Sequence, residues 1–219
     1  MIISFTQQQS AAIKQAVAWA KDRTSPQQIF RLFGFAGTGK TFISKYIANE
    51  IKGRVVFASY TGKAALVMRT KGCTDAGTTH SLIYIPEVDE LTGKLAFKLN
   101  QDSPLSDASL LILDECSMID DALASDILSF RCKTLVLGDP YQLPPVKGSG
   151  YFVNANPDVM LTDIRRQEAD NPIVRMSIDV REGKGLQIGS YGDSSVIPRG
   201  KLTPNMVMGA DQVIVGMNK

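Results

Sequence analysis

The sequence predicts an α/β fold built on a parallel sheet, and three observations carry that prediction. Gly34-Phe35-Ala36-Gly37-Thr38-Gly39-Lys40-Thr41 matches the phosphate-loop pattern G-x-x-x-x-G-K-[ST] at each fixed position. Short apolar runs alternate with stretches of helical spacing, as in repeated strand–helix units. One of those runs ends on Asp114-Glu115, and the carboxyl ends of parallel strands are where such sheets place ligand chemistry.

Composition sets the outer bounds. A chain of 219 residues with 44% hydrophobic content can bury a sizeable core as one large domain, or as one domain and part of another. The formal net charge of +2 gives no bulk argument for nucleic-acid binding, which needs a local patch. The three cysteines, Cys73, Cys116 and Cys132, lack metal-ligand spacing and read as reduced thiols, so a cytoplasmic setting is expected. No apolar run approaches a membrane span, so no membrane partner is expected, and nothing in the sequence argues against a monomer.

Taken in order, Thr6-Gln7-Gln8-Gln9 opens a helix whose apolar face is Ala12, Ala16, Val17 and Ala20. Thr6 and Gln9 fit a capping box; Gln9 could also read an adenine edge beside the phosphate loop, and residue chemistry alone favours the cap. Ile29–Phe33 reads as a buried strand, and Thr41–Ile51 as a helix with Phe42, Ile43, Tyr46 and Ile47 on one side. Between them, Gly37, Thr38 and Gly39 would wrap a triphosphate with backbone N–H groups at a positive helix end. Lys40 would reach the β/γ phosphates and Thr41 would hold Mg²⁺. ATP and Mg²⁺ are therefore the expected cofactors.

Arg54–Ser59 is the next strand. It runs into Tyr60-Thr61-Gly62-Lys63, a second strand-to-helix turn suited to a backbone phosphate, or to simple capping with an exposed lysine. Thr79-His80-Ser81 carries the only histidine. Ile83–Ile85 and Leu95–Leu99 flank Thr92-Gly93 and read as a hairpin, with Phe97 either its core anchor or an exposed wedge. Leu110–Leu113 is a strongly apolar strand; after it, Asp114 would hold Mg²⁺ and Glu115 would orient or deprotonate water. Thr134–Leu137 ends in Gly138-Asp139-Pro140-Tyr141-Gln142-Leu143-Pro144-Pro145-Val146, a proline-braced loop that could hold Gln142 near the γ-phosphate. Farther on, Val159–Thr162 reads as a short strand, Asn171-Pro172 starts a helix to about Glu182, 183–205 reads as loop, and Asp211–Gly216 as a last strand.

The order and spacing of these motifs resemble superfamily 1B helicases, the RecD-like and Dda-type 5′→3′ DNA helicases. Phe5-Thr6-x-x-Gln9 is similar to the Q motif, Gly34–Thr41 to motif I and Thr61–Ala65 to motif Ia. Thr79-His80-Ser81 is similar to the next DNA-contact motif, Asp114-Glu115-Cys116-Ser117-Met118 to motif II and Gly138–Val146 to motif III. Leu161-Thr162-x-x-x-Arg166-Gln167 resembles motif IV, and Val213–Asn218 the strand before motif V. Tyr60 departs from the family, which usually has proline there.

The resemblance implies a RecA-like P-loop NTPase core over 1–157, a small β-hairpin insertion (the pin) over 83–106, and the start of a second RecA-like core over 158–219, with motifs V and VI absent. It makes Gln9 an adenine reader and Arg166 a γ-phosphate contact. Lys40, Glu115, Gln142 and Arg166 become the catalytic set, and Thr61, Gly62, Lys63, Thr79, His80 and Phe97 the nucleic-acid contacts. The implied partners are single-stranded DNA and a duplex fork, and the implied activity is ATP-driven translocation and unwinding, weak in this chain by itself. The alternatives are a P-loop ATPase that does not unwind, or a nucleotide-gated single-strand-binding module.

Overall fold

Leu110–Asp114 and Thr134–Gly138 are buried along their whole lengths, which only a sheet covered on both faces allows. The computed structural model places them at the centre of such a sheet. It describes residues 4–88, 93, 95–143, 145, 150–163 and 171–214.

In chain order the elements are α1 (Gln7–Lys21), β1 (Ile29–Gly34), α2 (Lys40–Asn49), β2 (Val55–Ser59), α3 (Gly62–Thr70), β3 (Gly77–Thr78) and α4 (Thr79–Ile83). They continue with β4 (Tyr84–Val88), β5 (Leu95–Leu99), β6 (Leu110–Asp114), α5 (Asp121–Ser129), β7 (Thr134–Gly138) and β8 (Val159–Leu161). Six strands form one sheet in the order β3-β2-β6-β7-β1-β8. Every recorded pairing in it is parallel. This is the sheet of a RecA-like P-loop NTPase core.

Strand alternation divides the core into two layers. Phe30, Leu32, Leu110, Ile112, Leu135 and Leu137 face α1, α2 and α3. Phe33, Leu111, Leu113 and Val136 face the other way, towards α4, α5 and Phe152. Period-2 side-chain direction in the strands and 3.6-residue spacing in the helices produce this three-layer arrangement.

β4 and β5 form the expected antiparallel hairpin, in register from Tyr84↔Leu99 to Val88↔Leu95. Its extent differs from 83–106. Ile83 ends α4, and Leu105 sits in a short 3-10 turn; both are fully buried in the second core layer, so the excursion is confined to the strands and their tip. Thr92 lies outside the described residues. Phe97 is 65% exposed, so it is not a core anchor.

The chain divides into two compact units, residues 1–165 and 166–219. The boundary falls later than 157/158 because β8 pairs with β1, Leu32↔Val159 through Gly34↔Leu161, and completes the first sheet. The second unit holds α6 (Pro172–Arg181), capped by Asn171 as its sequence predicts. Two differences appear there. The stretch read as loop contains an antiparallel pair, β9 (Gly189–Tyr191) and β10 (Ser194–Val196), and then α7 (Pro204–Met208). The signal for the hairpin was present: Gly192-Asp193 is a two-residue hairpin loop, with Gly192 at φ +60°. The expected strand at Asp211–Gly216 does not form over 211–214, where Ile214 is 86% exposed and, among the described residues, no neighbouring strand supplies a ladder; 215 and 216 lie outside the described residues. Among the described residues no helix is long and apolar enough to cross a membrane.

Candidate functional site

The site grows from the carboxyl edge of the sheet. β1 delivers the phosphate loop into the first turn of α2. Gly37 and Gly39 hold φ of +80° and +85°, the left-handed turn that glycine adopts without strain. Gly34 is required for a different reason: an added Cβ would lie 2.8 Å from the Leu161 carbonyl oxygen and from Thr38 Oγ1. The loop is therefore tied to β8, where the Phe35 N–H donates to the same Leu161 carbonyl at 3.1 Å. Thr38 is buried, and its hydroxyl donates to the Phe35 carbonyl.

Lys40 folds over its own loop, with Nζ donating to the Gly34 and Phe35 carbonyls at 2.6 and 3.0 Å. Burial lowers its pKa, against the attraction of Asp139, Asp114 and Glu115. Thr41 Oγ1 donates to Asp114 Oδ2 at 2.7 Å. Asp114 ends β6 and is nearly buried, and its other oxygen accepts from the Glu115 N–H at 2.9 Å. A hydroxyl and a carboxylate in direct contact form an all-oxygen donor pair that fits Mg²⁺, a hard cation that keeps water and phosphate oxygens as its other ligands.

Glu115 has φ +56°, a left-handed backbone that a non-glycine residue adopts at a cost. The turn re-aims the chain just past the sheet edge, beside Asp114. Burial pushes the Glu115 pKa up and the Asp114 charge pushes it further, while Lys40 and a hydrogen bond with Gln142 draw it back. Ser117 Oγ donates to Gln142 Oε1 at 3.0 Å, fixing the amide from the other side. Gln142 is thus hydrogen-bonded to both Glu115 and Ser117.

Gln9 performs both sides of the capping box. Its N–H donates to Thr6 Oγ1, and its Oε1 accepts from the Thr6 N–H at 3.2 Å. Its Nε2 donates to the Thr38 carbonyl at 2.9 Å, which couples α1 to the phosphate loop. Gln9 is 1% exposed, so these bonds fix it inside the base of the loop. Gln8 was not singled out, yet its Oε1 accepts from the Thr162 and Asp163 N–H groups and anchors α1 to the end of β8.

Two further residues escaped sequence reasoning. Asp139, at the end of β7, is 2% exposed and is the carboxylate that most favours the charged form of Lys40. The rule that picked out Asp114, an acid at the carboxyl end of a buried strand, would have found it. Ser117 carried no such signal, because its role depends on a loop distant in sequence.

Thr61 caps α3 by accepting from the Ala64 N–H, and Lys63 is exposed. A recess of about 410 Å³ joins Thr61, Lys63 and Lys71 to Thr41, Asp114 and Glu115, so motif Ia and the carboxylate pair open on one space. A Cβ at Gly62 would meet nothing within 4 Å, leaving room for a close approach from outside. Thr79 is wholly buried, and its hydroxyl, like that of Ser59, has no hydrogen-bond partner among the described residues. This burial keeps the Thr79 side chain from the surface; His80 and Ser81 are exposed, the His80 ring 5.7 Å from Tyr60 and 6.0 Å from Tyr84. Phe97 stands on the hairpin, away from the phosphate loop in sequence and secondary structure. Arg166 lies outside the described residues.

Comparison with known proteins follows the same lines. Residues 4–201 match the AAA domain family. The ATP-dependent RecD2 DNA helicase of Deinococcus radiodurans is 31% identical over 173 residues, 74% of this chain and 23% of that protein. The chain thus spans about a quarter of that relative's length. Among solved structures, a Pif1 helicase from work on unwinding at forked duplex DNA superposes with a TM-score of 0.59 at 22% identity, covering 85% of this chain and 50% of the other. Bacteroides Pif1 with ADP-AlF3 and single-stranded DNA gives 0.54 at 22% identity, covering 89% and 53%. With the phosphate loop, the acid pair and the parallel sheet already in view, the chain belongs to the AAA domain family.

Proposed function

We propose that this chain is the ATP-hydrolysing core of a DNA helicase, driving 5′→3′ movement along single-stranded DNA towards a duplex fork. The single observation that carries the reading is the meeting of Lys40, Thr41, Asp114 and Glu115 at one sheet edge, with Thr41 and Asp114 in direct contact at 2.7 Å. The relative named as an ATP-dependent DNA helicase, and the Pif1 structure holding single-stranded DNA, support the choice of substrate.

The chemistry follows from the residues. Lys40 would exchange its two carbonyl partners for the β- and γ-phosphate oxygens, a swap that its short bonds to the loop already pre-position. Thr41 and Asp114 would hold Mg²⁺, which when bound neutralises charge on the phosphates. Glu115, held by Gln142, would take a proton from water as the water oxygen bonds to the γ-phosphorus and the bond to the β-phosphate oxygen breaks, giving ADP and phosphate. Gln142, bonded to both Glu115 and Ser117, would sense loss of the γ-phosphate. Arg166 would add positive charge at the γ-phosphate, and Thr61, Gly62, Lys63 and His80 would contact the strand.

Steady-state hydrolysis with and without single-stranded DNA tests the proposal. Stimulation by the strand is expected. Turnover that is flat with DNA would reject the helicase reading in favour of an ATPase acting on something else. Strand affinity without any turnover would favour the nucleotide-gated binding module.

A further inference from the structure

The edge of the sheet opposite the phosphate loop also carries a constructed recess. The loops that enter β1, β2, β6 and β7 meet there and enclose about 640 Å³, a volume in the range of nucleotide-sized sites. Five cationic side chains line it, Lys21, Arg23, Lys52, Arg131 and Lys133, against a single carboxylate, Glu50. In a chain with a net charge of only +2 this is a strong local accumulation.

Two of the five are already engaged. Lys21 pairs with Glu50 at 3.4 Å. Lys133 donates to the Trp19 and Asp22 carbonyls, closing the end of α1. The nearby Asp22 carboxylate is taken up by the Thr24 and Ser25 N–H groups and the Thr24 hydroxyl. Arg23, Lys52 and Arg131 are exposed, and among the described residues they pair with no carboxylate.

The backbone around them is shaped rather than incidental. Arg131 follows α5 at φ +56°, a position where glycine would be the least strained residue. Gly53, at φ +96°, lets the loop entering β2 close on Ser109: a Cβ there would stand 2.3 Å from Ser109 Oγ. Lys52 precedes β2, Arg131 precedes β7 and Arg23 lies between α1 and β1; from β2 to β1 the sheet spans three strand intervals, roughly 14 Å at ~4.8 Å per interval. A row of spaced charges fits successive phosphates, and arginine's planar fork suits phosphate oxygens.

We propose that this amino-edge recess is a second nucleic-acid site that grips the sugar–phosphate backbone of a DNA strand, separate from the ATP site and from the Thr61–Lys63 turn. The inference stands on charge and shape at this edge and does not require the catalytic reading.

The test is the fluorescence anisotropy of a labelled single-stranded oligonucleotide, and of its duplex, titrated with the full chain at several salt concentrations. The variant Arg23→Gln/Lys52→Gln/Arg131→Gly should bind at least about tenfold more weakly at low salt. It should also lose about two to three from the slope of log affinity against log salt, the share of three phosphate contacts. Binding of a fluorescent ATP analogue should be unchanged, which separates this result from any failure at the ATP site. Arg131→Gly alone should lose about 0.7 to 0.9 of slope without lowering the melting temperature, since glycine suits that backbone and the variant stays folded. Unchanged affinity and slope in the triple variant would overturn the proposal. So would a poly-glutamate peptide that binds the parent and not the variant while the oligonucleotide titration is unaffected, because the recess would then be a protein-docking surface.

Discussion

At the scale of single residues, Glu115 concentrates the tension in the site. It is held in a left-handed backbone, half-buried, and next to a second carboxylate. Removal of the carboxylate as Glu115→Gln should leave nucleotide binding within about threefold of the parent while lowering turnover by about 10²–10⁴, the usual contribution of a general base. Fluorescent-nucleotide titration beside an ATPase assay checks this; undiminished turnover would remove Glu115 from its role. Lys40→Ala should instead lose binding. The raised Glu115 pKa also has a consequence for stability. Between the ordinary carboxylate value and the raised one, the folded chain keeps a proton that the unfolded chain gives up. Stability contributed by this group is thus present at lower pH and lost as pH rises through the raised value. In chemical denaturation without nucleotide or divalent ion, Glu115→Gln should flatten that slope, which one proton limits to about 1.4 kcal/mol per pH unit. Identical pH profiles for parent and variant would contradict the assignment.

At the scale of elements, α1 is a clamp on the phosphate loop as well as a layer of the core. Thr6→Ala removes one side of the capping box and should cost about 0.5–2 kcal/mol in thermal or urea unfolding. Gln9→Ala removes the other side of the box and the bond to Thr38, so it should weaken ATP binding where Thr6→Ala does not. Equal ATP affinity in both variants would separate α1 from the loop's geometry. The β4–β5 hairpin is fastened at its base, where Tyr84 donates a hydrogen bond to Asp126 of α5, and is apolar and open towards its tip. The face formed by Pro86 with Phe97, and by Val88 with Leu95, has little core beneath it. Phe97→Ala should therefore change stability by less than about 0.5 kcal/mol. If Phe97 is a fork wedge, this variant should slow unwinding in the full-length helicase without reducing DNA-stimulated hydrolysis. A large loss of melting temperature would instead give Phe97 a packing role.

At the scale of the whole molecule, the question is how much of the motor these 219 residues supply. The first unit carries a complete sheet, the phosphate loop and the acid pair. A transition-state arginine contributes roughly 10³–10⁵ in rate, and we propose that this core receives part of that charge from outside these 219 residues. The purified chain should therefore bind ATP–Mg²⁺, hydrolyse it slowly, and leave a forked duplex intact in a gel-based strand-separation assay. Robust unwinding by this chain alone would refute that expectation and require the missing positive charge to come from within it.

The sequence by itself determined the parallel α/β sheet, because unbroken apolar strands such as Leu110–Leu113 have few stable environments other than one covered on both faces. It also determined the phosphate loop and its lysine, since glycines, lysine and threonine at fixed spacing act within one turn of chain. Contacts between segments distant in sequence were decided only by the tertiary structure. Ser117 meets Gln142, Asp139 faces Lys40, and β8 closes the first sheet instead of opening the next unit. The amino-edge recess belongs to this second group: its cations come from three separate segments, before β1, β2 and β7, and only the order of the strands makes them neighbours. Local pattern fixes which elements form and what lies within a turn of them; which distant side chains share a space depends on how the strands are ordered, and no local spacing records that.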